Sequence, residues 1–316
     1  MQHADARNQQ SKFRLTAIVV GYLLLCCILD PPSALAEEAI NTDTIALKPL
    51  LIHTHSDSVK EYHLFLQGSD PLALSDYRMP EGITRRVILE MLLLQQALHY
   101  GGIKQALRFQ PYSDNYQHTL QQVSDGRILM HADTFWQQDL SARSNDLYLS
   151  SPTIEHGQYI VGLYSSPENQ RALESNKENL SQLSAASNIA WSADWQALEA
   201  LDLKQLHNVR HWRMMASMVM KQDVDFLLAP FQGTSSQVIN RGKFNLVPIP
   251  HIKLALNDSR HYAISKKHSA GEQVYKAINR GIETMKRKGI WLRAYRESGV
   301  FDPNVDNWQL LNPTVD

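Results

Sequence analysis

Arg143 stands ahead of a short alternating segment, Leu147-Tyr148-Leu149-Ser150, which Pro152 ends. A guanidinium is a planar fork that matches both oxygens of a carboxylate. On a loop beside a strand it could grip an organic acid, or it could be an ordinary solvated residue. Two other groupings could carry chemistry. His53-Thr54-His55 closes an apolar run that begins at Leu47. Histidines at that spacing share one strand face and can hold zinc. A lone pair is a weak motif, and no later His pair and Asp complete a metal set, so a structural or incidental role is expected. Ser192-Ala193-Asp194 precedes the helical stretch Trp195 to Leu201, and Ser192 is a suitable N-cap. No Gly-x-Ser-x-Gly occurs, and Ser150-Ser151-Pro152 lacks the elbow glycines of a serine nucleophile. Carboxylate pairs for glycoside cleavage meet in space and leave no mark in sequence.

The chain has 316 residues and a formal charge of −1, so no basic footprint points to nucleic acid. Arg7, Lys12 and Arg14 precede the charge-free run Leu15 to Leu29, and Ala34-Leu35-Ala36 follows. That is the three-part layout of a secretory signal peptide, shorter than the roughly 20 residues of a bilayer span. Cleavage is expected after Ala36. The two cysteines, Cys26 and Cys27, lie inside the apolar run, and Leu25 before them does not fit a lipoprotein site. The exported chain from Glu37 therefore has no thiol chemistry and no disulfide, and its fold must rest on core burial.

The elements that must position these residues alternate strand and helix. A strand is expected over Leu47 to His53, a loop over Gly68 to Gly82 and a helix over Ile83 to Tyr100, stopped by Gly101-Gly102. Ala106 to Phe109, Tyr116 to Val123 and Arg127 to Ala132 read as strand, helix and strand. Tyr159 to Tyr164 is an apolar run suited to burial on both faces. Ser165 to Ser187 should hold one exposed helix, and Asn188 to Trp191 a short strand. A methionine-rich helix over Arg213 to Lys221 leads to a strand at Asp225 to Ala229. Phe244 to Ile249 and His261 to Ser265 are strands, and Gly271 to Lys288 and Ile290 to Ser298 are helices. The pattern is α/β.

The arginine, the apolar strand and Ser-x-Pro at Arg143, Ser150 and Pro152 resemble bacterial extracellular solute-binding proteins of family 3. So does the C-terminal run Tyr262-Ala263-Ile264-Ser265, followed by Lys-Lys and a helix with Gly281 and Gly289. The resemblance covers most of the chain after residue 36. It implies a two-lobed type II periplasmic binding fold, each lobe a mixed sheet flanked by helices. Residues 1–36 would be the signal peptide and 37–157 the first part of lobe 1. Residues 158–249 would form lobe 2 with the crossing strands, and 250–316 would complete lobe 1. The resemblance casts Arg143 as the carboxylate grip and Ser192 as part of a helix-N-terminal anion turn, here without the usual glycine and threonine. Trp136 and Gln138 stand where the family has small ligand-contacting residues and a Thr. Trp136 could stack on a ligand ring or fill a core. Pro230 stands where an Asp normally pairs with the ligand ammonium. Half of the zwitterion clamp is thus absent, which implies an anionic solute or a copy that no longer binds one.

The expected function is a monomeric, non-enzymatic periplasmic binding protein without cofactor or metal. It would close on a small, anionic solute and present it to an ABC permease or a sensor kinase. The competing expectation is an exported metal-dependent hydrolase using His53 and His55.

Overall fold

The structure, a computed structural model, describes residues 48–112 and 115–312. The proposed signal peptide and its cleavage site lie outside the described residues. The first segment comprises β1 (Leu50–Thr54), α1 (Ser56–Leu66), α2 (Arg85–Tyr100), β2 (Leu107–Pro111), α3 (Tyr116–Ser124), β3 (Phe135–Trp136), α4 (Gln137–Ser141) and β4 (Leu147–Leu149). A second follows with β5 (Tyr159–Ser165), α5 (Gln170–Leu173), β6 (Ser184–Ser187), α6 (Ser192–Glu199), β7 (Gln205–Asn208), α7 (Trp212–Met220), β8 (Phe226–Pro230), β9 (Ile239–Arg241) and β10 (Phe244–Pro248). The chain ends with β11 (Ile252–Leu256), β12 (Arg260–His261), β13 (Ala263–Ser265), α8 (Gly271–Arg287), α9 (Ile290–Glu297) and β14 (Gln309–Leu310).

The first lobe is built on β1, which pairs in parallel with β2, Leu50 opposite Leu107. On its other side His53 bridges His131, and the next residue back, Met130, bridges Ile264 of β13, which pairs with β4. The strand expected over Arg127–Ala132 is therefore reduced to two bridging residues. Its neighbours hold it in place through bonds such as Ala132 N–H to His53 C=O at 2.8 Å. Helix α2 is buried without a break from Val87 to Leu94, as a helix apolar all round must be. It lies against α8 so closely that a Cβ on Gly281 would sit 1.8 Å from the Ala97 carbonyl oxygen. A Cβ on Gly101 would sit 2.0 Å from that of Ala277. Only glycine permits this backbone contact.

The second lobe is a sheet in the order β14-β11-β5-β8-β6-β7, with β10 pairing to β5 and β9. Strand β5 is buried along nearly its whole length, as its apolar run requires. Its start pairs with β11 and its end with β10. The strand expected at Asn188–Trp191 lies instead at Ser184–Ser187, the sequence Ser-Ala-Ala-Ser. Alanine and serine have little intrinsic strand preference. Parallel pairing with both β7 and β8 makes this segment a strand. Below it, Asp225 ties the lobe together. Its Oδ2 accepts from Ser184 N–H at 2.8 Å and Ser184 Oγ at 3.0 Å, and its Oδ1 accepts from Asn169 Nδ2 at 3.1 Å and from Arg171.

Candidate functional site

A cleft lies where the first turn of α2, β3 and β12 of the first lobe face α6, Trp212 and the end of β8 of the second. Its central cavity has a volume of 300 Å³. A second cavity lies beside it and shares Arg86, Tyr159, Trp212, Ala229 and Pro230 with it.

The first-lobe wall carries a buried charge network. Arg86, in the opening turn of α2, donates to Glu90 Oε2 at 2.5 Å. Thr134 Oγ1 donates to Glu90 Oε1 at 2.9 Å and accepts from Arg260 Nε at 2.8 Å. Arg260 Nη2 donates to the Thr134 carbonyl. The Arg260 guanidinium lies over the Trp136 ring, 4.4 Å from its centroid, and 6.0 Å from that of Tyr159. Two arginines thus share one glutamate. Arg260 is only 5% exposed, and its Nη1 makes no hydrogen bond among the described residues. Burial, and then the neighbouring Arg86 cation, push this guanidinium below the usual arginine range. It remains charged, and a buried cation in surplus calls for an anion.

The second-lobe wall supplies one acid, Asp194, in the first turn of α6. Burial pushes its carboxyl up to about 6, against the pull of Arg260. The two are not in contact; the cavity lies between them. Pro230 also lines this wall. It offers this wall neither a charge nor an N–H.

Of the residues singled out from sequence, Trp136 lines the cavity beneath Arg260. Ser192 is the first residue of α6 and not the expected N-cap, a place that Trp191 takes; its hydroxyl instead donates to Asp139 Oδ1 at 3.0 Å, from one lobe to the other. Gln138 is exposed, with its backbone N–H on Asp258 Oδ2 at 3.2 Å. Arg143 follows α4, its Nη1 3.4 Å from the Asp139 carbonyl oxygen, and it is not among the residues lining either cleft cavity. Of these four, Trp136 alone is among the residues lining the two cleft cavities; Ser192, Gln138 and Arg143 are not. Arg260 and Arg86 were not singled out from sequence, and Asp194 was named only as part of the turn at Ser192. One signal did mark Arg86: with Arg85 it puts two cations and no acid in a helix's first turn, against the macrodipole.

His55 Nε2 lies 3.5 Å from Asp133 Oδ2, and the His55 and His131 rings are 5.1 Å apart. His131 Nδ1 accepts the Asp133 N–H at 3.1 Å, which places the ring proton on Nε2 and takes that nitrogen out of use as a ligand. Among the described residues no three His, Cys, Asp or Glu side chains converge as a metal ion requires.

No protein-family model matches the chain, and no curated protein sequence does. Solved structures do. The probable amino-acid ABC transporter extracellular-binding protein ytmK from Bacillus subtilis aligns with a TM-score of 0.51 at 8% identity, over 78% of this chain and 96% of that one. The periplasmic VFT2 domain of Bordetella pertussis BvgS aligns at 0.50 and 13%, over 77% and 92%. The GluR0 ligand-binding core from Nostoc punctiforme, in complex with L-glutamate, aligns at 0.47 and 14%, over 81% and 100%. The fold is the two-lobed α/β fold of the type II periplasmic binding proteins. Within it this chain is a divergent case, its likeness to family 3 solute-binding proteins being one of fold.

Proposed function

We propose that the protein is an exported, non-enzymatic solute-binding protein whose lobes close on a small solute bearing an anionic group, and that Arg260 grips that group. The observation that supports this most is the buried Arg260 guanidinium, which lines the cavity, has no hydrogen bond at Nη1 among the described residues and no carboxylate within ion-pair distance. Closure would bring α6 and β8 over the anion, and a membrane permease or sensor would read the closed form. Arg143 then serves the end of α4. Trp136 orients Arg260 by stacking and does not itself need to touch a ligand ring.

The test is a thermal-shift screen with amino acids, dicarboxylates, aromatic acids and phosphate esters, followed by calorimetry on the hits. Ligand at about 100 times its Kd adds about 2.7 kcal/mol of stability. Arg260→Ala removes one side of a desolvated pair, at about 2–5 kcal/mol, or roughly thirty-fold and more in Kd. Arg143→Ala leaves Kd unchanged. A hit whose affinity survives Arg260→Ala and falls in Arg143→Ala would return the anion to the loop before β4 and overturn the assignment.

A further inference from the structure

Resting on that reading of the cleft, we infer that the solute is a zwitterion whose cation is N-alkylated: a carboxylate at Arg260 joined to a methylated ammonium held against Asp194 and the rings around it. A primary ammonium brings three N–H donors, and each needs an acceptor once water is expelled. Among the side chains lining the central cavity, only Asp194, Tyr116 and Tyr159 carry oxygen. The Tyr116 hydroxyl is already engaged, donating to Asp139 Oδ2 at 2.7 Å and accepting from Trp136 N–H at 3.1 Å. No Ser, Thr, Asn or Gln lines this cavity. The side-chain acceptors left for three N–H donors are the Asp194 carboxylate and the Tyr159 hydroxyl, with no amide or aliphatic hydroxyl beside them.

Most of what the lining offers a cation is aromatic surface. Tyr116, Trp136, Tyr159, Trp191 and Trp212 all line the cavity. Rings of this cleft already attract cations: Arg260 lies over Trp136, and Arg241 lies 5.8 Å from the centre of the Trp212 ring. A methylated ammonium has no N–H to satisfy. It is stabilised by ring faces and by one carboxylate at the same time. The charges also fix the ligand's direction. Arg86 and Arg260 repel a cation from the first-lobe wall, and Asp194 is the acid of the opposite wall. The cation must therefore lie on the side of α6, with Trp191 beside it.

Three probes separate the possibilities: N,N,N-trimethylglycine, glycine and acetate, titrated calorimetrically into the full chain. Trimethylglycine is expected to bind at least tenfold more tightly than glycine and more tightly than acetate. Asp194→Asn and Trp191→Ala should each weaken trimethylglycine at least tenfold, with Trp191→Phe recovering part of the loss and far-ultraviolet circular dichroism showing that each variant is folded. Glycine binding as tightly as trimethylglycine overturns the inference, as does the absence of binding by all three. Acetate equal to trimethylglycine, with both lost in Arg260→Ala, also overturns it and leaves the anion site standing. Trimethylglycine binding unaffected by Arg260→Ala would instead sink the proposed anion site.

Discussion

Ser192 of the second lobe donates its hydroxyl hydrogen to Asp139 of the first, Oγ to Oδ1 at 3.0 Å. The other carboxylate oxygen accepts from Tyr116 at 2.7 Å, so the acceptor is anchored within its own lobe. A bond of this kind contributes about 0.5–1.5 kcal/mol, more where the acceptor is charged. Ser192→Ala should therefore shift an open–closed equilibrium several-fold toward open. Small-angle scattering without ligand would show this as a larger radius of gyration. An unchanged scattering profile would mean that other contacts hold the lobes together.

The acid of the cleft carries a pH signature. Asp194 holds its proton up to about 6, against an ordinary value of 3.8. The folded state binds the proton more tightly than the unfolded chain, so stability falls as pH rises from about 4 through about 6 and stays at the lower level above that. Two units correspond to at most about 3 kcal/mol, and water in the open cleft reduces that toward 1. Asp194→Asn should raise Tm by a few degrees at pH 7.5 and leave it unchanged near pH 3.5. Equal shifts at both pH values would contradict the raised carboxyl.

Asp225 behaves in the opposite sense. Burial alone would push its carboxyl up, but hydrogen bonds from Ser184, Asn169 and Arg171 outweigh burial and hold it below the ordinary carboxylate range. Its contribution is present above that range and is lost as pH falls through the depressed value. Asp225→Ala would strand the Ser184 N–H and the Asn169 amide, at about 2–4 kcal/mol in total. Denaturant titrations at pH 7 and pH 3 should show the variant's deficit shrinking at the lower pH. A deficit that is the same at both would contradict the assignment.

Gly281 gives a test of the fold. In an exposed helix Gly→Ala stabilises by about 1 kcal/mol. Here the added methyl would meet the Ala97 carbonyl at 1.8 Å. Forcing α2 and α8 apart should outweigh the propensity gain and cost about 1–3 kcal/mol net. A rise in Tm for Gly281→Ala would mean the helices do not touch backbone to backbone.

Much of this fold could be read from the chain, and the reason differs by element. Helices α2 and α8 and strand β5 announce themselves because each repeats one hydrophobic period over several residues. Strand β6 does not, since Ser184-Ala185-Ala186-Ser187 becomes a strand only through its neighbours. Strand β7 and helix α1 also passed unread; α1 has only three buried residues, Ser58, Tyr62 and Leu66, and so shows a thin apolar stripe. The cleft was harder. Arg143 drew attention because spacing put it ahead of Ser-x-Pro. One of the two cations that line the cavity, Arg260, stands at the head of the short β12, where sequence offers only a charged residue before His261. Its partner in the network, Glu90, is a polar residue in the middle of an apolar helix. It meets Arg260 only because Thr134, 44 residues away, stands between them.

That same Thr134 bridge decides how the cleft would feel a solute arriving. Arg260 is clasped at Nε and Nη2 and stacked on Trp136, so its rotamer freedom is gone before any encounter. A flexible lysine at this place would have to freeze on contact. The clasped guanidinium instead presents Nη1 in one fixed direction, a template against which shapes are compared. Selectivity at the proposed anion site would therefore be geometric, and molecules of equal charge but different outline should be told apart there.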